Sequence, residues 1–247
     1  MKYVDKDFQS QAVVDLDAEL RLNQLDEASL TNPATHPTLD GPAVYDQVRS
    51  FDSFHALKQQ MYDDQGGICC YCGKKLEYPN HPLLAQYIVE HVKPKEADRT
   101  LAGEYKNLLL SCRPTDEEEQ LRKDAPRKEK NAFFHCDKAK GSMPITYSPL
   151  QTDCGTHFCY DEFGDVNVAD SNDAAAVQDL ITLNLKCHWL KTRRAAAIEG
   201  ELFDENYELL PEDELRDRLT SIMQRDANGN FTEFCFVIKG AIEHVLA

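Results

Sequence analysis

Four cysteines in two pairs constrain the fold of this chain more than any other feature of the sequence. Cys69 and Cys72 are separated by two residues and followed by a glycine, the spacing of a zinc-knuckle turn, in which two thiolates reach one tetrahedral ion from the same side. Cys112 and Cys136 supply a second pair. Four soft thiolates without a carboxylate favour zinc. We therefore predict a closed, structural zinc site, with no position open for water or substrate.

Other histidines and cysteines offer alternatives to this ligand set. His135, beside Cys136, is an alternative fourth ligand. A competing set, Cys154, His157 and Cys159, lies on a predicted hairpin, where packing is the simpler explanation. The nine cysteines are an odd number and no export signal is recognised, so we expect metal binding or burial rather than disulfides. Three cysteines are expected to be small buried apolar residues: Cys70, Cys187 and Cys235.

The charge of the chain is unusual for a protein that binds nucleic acid. The 247 residues carry a formal net charge of -16, whereas phosphate contacts need positive charge. Residues 90–140 contain twelve Lys/Arg and eleven Asp/Glu, which is about +1, so the rest of the chain carries about -17. This distribution permits local phosphate contacts but repels nucleic acid globally. We expect any nuclease of this kind to need a partner that delivers its substrate.

Hydrophobic periodicity predicts helices on both sides of a mixed central region. The first is marked by a stripe from Val13 to Leu25 and is ended by the breakers at 31–37; a second spans about Ala43 to Asp64. Short strands are predicted in the centre, and a hairpin then helices follow it. These elements are strands at Gln86–Val89 and Leu108–Leu110, a hairpin over 156–168, and helices at about Asn172–Glu199, Pro211–Arg225 and Phe231–Val245.

A highly charged stretch runs from Arg113 to Lys130. It is typical of a solvated loop or exposed helix, and the alternative is an insert that docks a partner or guides phosphate. No apolar run is long enough to span a bilayer, and the amino terminus is charged. We therefore expect a cytoplasmic protein without a membrane partner.

An acid–histidine pair, Glu90-His91, follows an apolar run between the two cysteine pairs. A carboxylate can hold a hard divalent cation, and an adjacent imidazole can accept a proton from water near neutral pH. Phosphodiester hydrolysis needs both functions, together with positive charge where the leaving oxygen becomes an alkoxide. The pair alone is weakly specific, and its position inside the cysteine frame strengthens the assignment.

The order of these motifs resembles that of HNH endonucleases of the ββα-metal type. Within that superfamily, Cys-x-Tyr-Cys-Gly, Glu-His-Val-Lys-Pro-Lys, Asn-Leu-Leu-Leu-Ser-Cys and Cys-Asp-Lys-Ala-Lys-Gly resemble the PtuB family, the nucleases of Septu and retron-associated antiphage systems. The resemblance covers about Gly67 to Gly141. It extends more loosely through the hairpin to Leu183-Asn184-Leu185 and Arg193-Arg194, and the first forty residues lie outside it.

The resemblance implies a role for each matching residue. Glu90 and Asp137 would bind Mg²⁺ or Mn²⁺, and His91 would be the general base. Asn107 would fix the loop and orient the base through a hydrogen bond, and Lys140 would contact phosphate. The pattern departs at Asp137, where the wider superfamily has His or Asn. For this residue a helix N-terminal acid is the alternative, and for Asn107 a turn or capping role is the alternative.

We thus predict an α+β chain in which a zinc-stapled ββα-metal module at 67–147 lies between an N-terminal helical region (1–66) and a hairpin with C-terminal helices (148–247). The expected activity is hydrolysis of nucleic acid to 5′-phosphate and 3′-hydroxyl ends. The resemblance implies a PtuA-like ATPase as partner, and a retron reverse transcriptase with its RNA–DNA product as further partners. The same nuclease acting on RNA, including tRNA, and a non-catalytic zinc scaffold are the alternatives.

Overall fold

In the described part of the chain, helices and two small antiparallel sheets make up an α+β fold. The computed structural model describes residues 1–76, 87–127 and 130–247. In chain order the elements are α1 (Gln11–Leu22), α2 (Glu27–Thr31), α3 (Gly41–Val48), α4 (Asp52–Gln65), β1 (Tyr87–His91), β2 (Leu108–Cys112), α5 (Asp116–Asp124), α6 (Asp137–Lys140), β3 (Phe158–Tyr160), β4 (Val166–Val168), α7 (Ala174–Thr182), α8 (His188–Leu202), α9 (Glu212–Ser221) and α10 (Cys235–Val245).

The N-terminal region contains more helices than the sequence predicts. The first predicted helix ends at Leu22, and α2 follows as a separate turn that the side chain of Asp26 caps. The second predicted helix is wrong as one element, because the chain leaves helical geometry at Phe51 (φ -71°, ψ 144°) and divides into α3 and α4. The break lets Val48 pack beside Gly103 while Phe54 of α4 is also buried.

The central sheet pairs β1 with β2 and positions the acid–histidine pair. Glu90 is opposite Leu109 and His91 is opposite Leu108. Both strands extend two residues beyond their predicted ends, and Gln86, where the first was predicted to begin, lies outside the described residues. All five residues of β2 are buried. The amide of Gln65, the last residue of α4, accepts a hydrogen bond from the backbone N–H of Leu110 (2.7 Å) and donates one to its carbonyl (2.8 Å).

The charged stretch contains a helix that is anchored through one of its acidic residues. In α5 the side chains of Thr115 and Glu118 form a reciprocal capping box. Glu118 is only 2% exposed, and its carboxylate contacts the ammonium of Lys74 (2.7 Å) and the indole N–H of Trp189. Of the two predicted forms, a solvated loop or an exposed helix, the structure has a helix over Asp116–Asp124, but its attachment to the protein through a buried ion pair was not predicted.

The C-terminal region contains the predicted hairpin, but one predicted helix is divided at Asn184. The hairpin β3–β4 forms as predicted, with Phe158 and Tyr160 buried and Cys159 exposed between them. The single helix predicted over 172–199 is wrong, because the chain turns at Asn184 (φ 47°) between α7 and α8. The Asn184 amide donates to the carbonyl of Phe134 (2.7 Å), so this turn receives the segment that carries Cys136.

One apolar core runs through all three predicted regions, and their boundaries stay predictions. The burial expected for three other cysteines is confirmed: Cys70, Cys187 and Cys235. Helix α10 begins at Cys235, four residues later than predicted, because Phe234 adopts a left-handed conformation (φ 58°). Among the described helices, none has the length and apolar character needed to cross a bilayer.

Candidate metal centre and adjacent carboxylate site

The four cysteines predicted as ligands lie together in the interior. All four are buried, and their sulfur atoms lie within 4.8 Å of one another. The Sγ atoms of Cys69 and Cys136 are 3.8 Å apart, and those of Cys72 and Cys112 are 3.7 Å apart. A tetrahedral zinc with Zn–S bonds of about 2.3 Å places its sulfurs about 3.8 Å apart. The cluster therefore fits zinc in both ligand type and dimensions.

Local backbone geometry explains why these sulfurs converge. The N–H of Gly73 donates to the carbonyl of Cys69 (3.1 Å), which closes the turn that carries the first pair. Gly73 has φ 82°, and a Cβ atom there would lie 2.7 Å from the ring of Phe236, so this position requires glycine. Cys112 ends β2. The N–H of Cys136 donates to the carbonyl of Leu183 (2.8 Å) in the turn between α7 and α8.

Within the cluster the thiolate form is favoured at Cys69, whereas the pKa values of Cys112 and Cys136 are raised well above the usual value. Burial disfavours a charged sulfur, but hydrogen bonds from Cys112 and Cys136 outweigh it and lower the pKa of Cys69 well below its usual value. The backbone N–H of Cys112 also donates to the sulfur of Cys69 (3.3 Å). Each of the nine cysteines is a free thiol.

His135 lies beside the cysteine cluster rather than within it. Its Nδ1 is 3.2 Å from the sulfur of Cys136 and 3.7 Å from that of Cys112, and its Nε2 faces Glu118 at 3.9 Å. The residues that meet as a possible metal group in the described chain are the four cysteines alone. His135 therefore packs between the cluster and the Glu118–Lys74 ion pair. In the competing set, Cys159 is exposed.

Glu90 lies in a buried environment of polar groups next to the cysteine cluster. It is 1% exposed, and its Oε1 accepts a hydrogen bond from the hydroxyl of Tyr71 (2.7 Å) and contacts the ammonium of Lys140 (2.8 Å). Burial, together with the hydrogen bond and negative charge of Asp137, raises the pKa of Glu90 to about 8 against the opposing effect of Lys140. Two carboxyl groups thus face one another.

Asp137 is brought to Glu90 by its position in the chain. It directly follows Cys136, which has φ 56° and ψ -136°, a backbone geometry that an L-residue rarely adopts. The N–H of Asp137 donates to the hydroxyl of Ser111 (3.3 Å) on β2. A single peptide bond, between Cys136 and Asp137, therefore joins the cysteine cluster to the carboxyl pair.

His91 lies on the same strand as Glu90 and is held in one tautomer. Its Nε2 is 2.9 Å from the carbonyl oxygen of Ala102, which can only accept a hydrogen bond, so Nε2 carries the proton and Nδ1 carries the lone pair. The ring of Tyr45 meets the imidazole edge-on at 4.5 Å. Burial lowers the pKa of His91 to about 4. The imidazole is therefore neutral at physiological pH and is able to accept a proton.

Asn107 closes the loop between the two strands. Its Oδ1 accepts from the N–H of Lys93 (2.8 Å), and its Nδ2 donates to the carbonyls of Lys93 (2.9 Å) and Leu101 (3.2 Å). The predicted hydrogen bond that orients the base is made instead by Ala102, the neighbour of Leu101. Asn107 thus acts on His91 through the loop backbone.

Lys140 is turned inward in this structure. Its side chain is 1% exposed, and besides Glu90 it donates to the carbonyl of His91 (3.0 Å). The phosphate contact expected from the sequence stays a prediction, because a phosphate can reach this ammonium only after it leaves Glu90.

Other basic side chains near the site are matched with acids. Lys93 pairs with Asp98 (2.7 Å), and Lys106 pairs with Glu27 of α2. The ammonium groups of these two lysines are therefore already compensated by carboxylates.

Three contributors to the site were missed by sequence reasoning. Tyr71 could have been recognised, because it lies between two predicted zinc ligands in the sequence. Tyr45 had no such signal, since it comes from a helix more than forty residues before His91. Arg99 donates to one backbone carbonyl of α2, that of Leu30, and to three of the loop between α2 and α3, and so fixes this region to the segment around His91; the three are those of Thr35, His36 and Leu39.

Comparison with known proteins provides no further assignment: no family model matches the chain, and no curated protein matches it. The chemistry of the site therefore has to be argued from its own residues.

Proposed function

We propose that this chain is a metal-dependent endonuclease of the HNH type. The proposal rests on one arrangement: His91, a neutral imidazole held in one tautomer, directly follows the buried Glu90 on β1, and the carboxyl group of Glu90 is hydrogen-bonded to Asp137, next to a four-cysteine cluster. The hairpin of β1 and β2 followed by α6 agrees with the ββα-metal arrangement expected from the sequence. Substrate would be the phosphodiester backbone of a nucleic acid.

The carboxyl pair fits a hard divalent cation. Glu90 and Asp137 offer oxygen ligands, and their mutual repulsion is relieved by positive charge placed between them. When bound there, Mg²⁺ or Mn²⁺ would stabilise negative charge on the phosphate and on the leaving oxygen. The four thiolates would hold zinc separately, in a structural role.

His91 performs the proton transfer in this proposal. Its Nδ1 accepts a proton from the attacking water, and the Nε2–H bond to Ala102 stabilises the imidazolium that forms. Asn107 keeps that carbonyl in place through the loop. The low pKa of His91 keeps the nitrogen available over the whole physiological range.

The strongly acidic remainder of the chain supports dependence on a partner for substrate delivery. We propose a PtuA-like ATPase for this role, and a retron reverse transcriptase with its RNA–DNA product as a possible further component of the assembly. In this setting the chain would be the effector nuclease of an antiphage system in the cytoplasm.

The test is a cleavage assay of the purified chain, alone and with a PtuA-like ATPase as the proposed partner. Plasmid DNA and total cellular RNA are incubated with Mg²⁺ or Mn²⁺, and wild type is compared with His91→Ala. We expect cleavage by wild type only, with 5′-phosphate ends and equal zinc content in both proteins. Cleavage of RNA alone would assign an RNA substrate. A His91→Ala protein that cleaves, or protects cells from phage, as well as wild type would contradict the proposal and favour a scaffold.

A further inference from the structure

Lys140 is a buried cation whose position the proposed chemistry does not explain. It ends the four-residue helix α6, and its side chain is 1% exposed. Its ammonium reaches two oxygens, Oε1 of Glu90 at 2.8 Å and the carbonyl of His91 at 3.0 Å. Burying a lysine is costly unless negative charge compensates it, so this contact is a specific interaction of the folded chain.

The ammonium uses the same oxygen that a divalent cation would need. Glu90 and Asp137 form a pair of facing carboxyl groups, and Lys140 is the cation in contact with Glu90. A divalent ion at this pair would lie within a few ångströms of the ammonium, and like charges at that distance repel strongly in a buried site. Lysine and metal therefore compete for one position.

We propose that Lys140 is an internal cation that occupies the carboxyl pair of Glu90 and Asp137 until a divalent metal ion displaces it. The inference deepens the proposed function and rests on it, because it concerns the regulation of metal loading at the same site. In the closed state the ammonium keeps the carboxyl pair compensated. In the loaded state it leaves Glu90 and becomes available to a phosphate group of the substrate.

The surroundings of α6 provide room for this exchange. Gly141 follows Lys140 directly, is exposed, and has no atom within 4 Å of the position where a Cβ would be built. The end of the helix therefore borders open space. A flexible four-carbon stem can carry the ammonium from Glu90 to the surface without a change in β1.

The test measures Mn²⁺ binding to the zinc-loaded protein by electron paramagnetic resonance, which needs no catalytic turnover. Lys140→Met is compared with wild type, and Lys138→Met is the matched control, because Lys138 is an exposed lysine of the same helix. We expect Lys140→Met to bind Mn²⁺ more tightly by on the order of tenfold. Lys138→Met should change the affinity by less than about twofold, because an exposed charge is screened.

Each outcome separates the two proposals. If Lys140→Met binds Mn²⁺ no more tightly than wild type, while Glu90→Gln still abolishes binding, the competition between Lys140 and metal is contradicted. The proposed metal site at Glu90 and Asp137 would remain supported. Absence of Mn²⁺ binding in wild type and in Lys140→Met would overturn the metal site itself. If Lys140→Met does not fold, as judged by zinc content and circular dichroism, Lys140→Gln takes its place, because it keeps a donor for the His91 carbonyl and lacks the charge.

Discussion

Cys136 and Asp137 are adjacent in the chain and belong to two different sites. The sulfur of Cys136 lies 3.8 Å from that of Cys69, and the carboxyl group of Asp137 is hydrogen-bonded to Glu90. The backbone of Cys136 adopts a positive φ of 56°, which costs on the order of 1–3 kcal/mol for an L-residue. The free energy of metal binding at the cysteines can offset that cost and thereby fix the position of Asp137.

Loss of zinc should therefore disable both sites. We expect Cys136→Ser to lose bound zinc, to lower Tm by on the order of 10 °C and to abolish Mn²⁺ binding at the carboxyl pair. Elemental analysis and thermal unfolding measure these effects. Cys159→Ser is the matched control, because Cys159 is exposed and outside the cluster. Unchanged Mn²⁺ binding after zinc loss would show that the two sites are independent.

The buried imidazole should make stability depend on pH. Burial lowers the pKa of His91 from 6.5 to about 4, so between these values the unfolded chain binds a proton that the native chain does not. Its contribution therefore makes stability rise with pH across that window and fall on acidification. In metal-free protein, this contribution should lower the free energy of unfolding by about 2 kcal/mol between pH 7.5 and pH 5.

Urea unfolding at both pH values measures this effect. His91→Gln should lose it, whereas His55→Gln should keep it, because His55 is exposed on α4. The same pH dependence in His91→Gln and wild type would mean that the imidazole is not buried in its neutral form.

Tyr71 should support Glu90 without taking part in chemistry. Its hydroxyl donates to Oε1 of Glu90, and a hydrogen bond to a charged group contributes about 1.5–3 kcal/mol, which applies once a bound metal ion holds Glu90 in its charged form. We expect Tyr71→Phe to weaken Mn²⁺ binding and cleavage by on the order of tenfold while zinc content stays unchanged. Tyr207→Phe, at an exposed tyrosine, should have no effect. Full activity of Tyr71→Phe would remove this residue from the site.

The ion pair of Glu118 with Lys74, which anchors α5, should contribute strongly to stability. Removing the Glu118 carboxylate leaves the buried ammonium of Lys74 without its partner, which typically costs about 3–5 kcal/mol. We expect Glu118→Ala to lower the free energy of unfolding by about 3–5 kcal/mol and to make the Arg122–Lys123 peptide bond accessible to trypsin. Glu117→Ala removes an equal but exposed charge and should do neither. If both variants resist trypsin equally, Glu118 does not anchor α5 to the rest of the protein.

Unaided binding to nucleic acid should be weak. The chain has a net charge of -16, and Lys93 and Lys106 near the site are already paired with acids. We therefore expect binding of the chain to free DNA not to reach saturation below about 10 µM protein at physiological salt. A filter-binding assay measures this, and addition of the partner should strengthen binding. Tight binding by the chain alone would contradict the requirement for a partner.

The sequence predicted the cysteine cluster better than the helix boundaries. The spacing of Cys69 and Cys72 and the two later cysteines were enough to predict the cluster, because thiolate geometry around zinc restricts the possible partners. The division of the helix predicted over 172–199 was not foreseeable, since the turn at Asn184 serves a distant contact, the hydrogen bond from Cys136 to Leu183. Local periodicity carries no information about such tertiary contacts.

The same distinction holds within the site. Glu90 and His91 were identified as neighbours in the sequence, and both are buried at the end of β1. The inward position of Lys140 was missed, because its attraction to Glu90 depends on how α6 packs against β1. The contact between His91 and Ala102 depends on the course of a loop, which residue types alone do not determine.

Anomalous diffraction from crystals grown with Mn²⁺, recorded on both sides of the zinc edge, would locate both metals in one experiment. We expect one zinc peak among the four cysteine sulfurs and one manganese peak between the carboxyl groups of Glu90 and Asp137, with Lys140 moved away from Glu90. A zinc peak alone, with no manganese at the carboxyl pair and Lys140 still in contact with Glu90, would contradict this expectation.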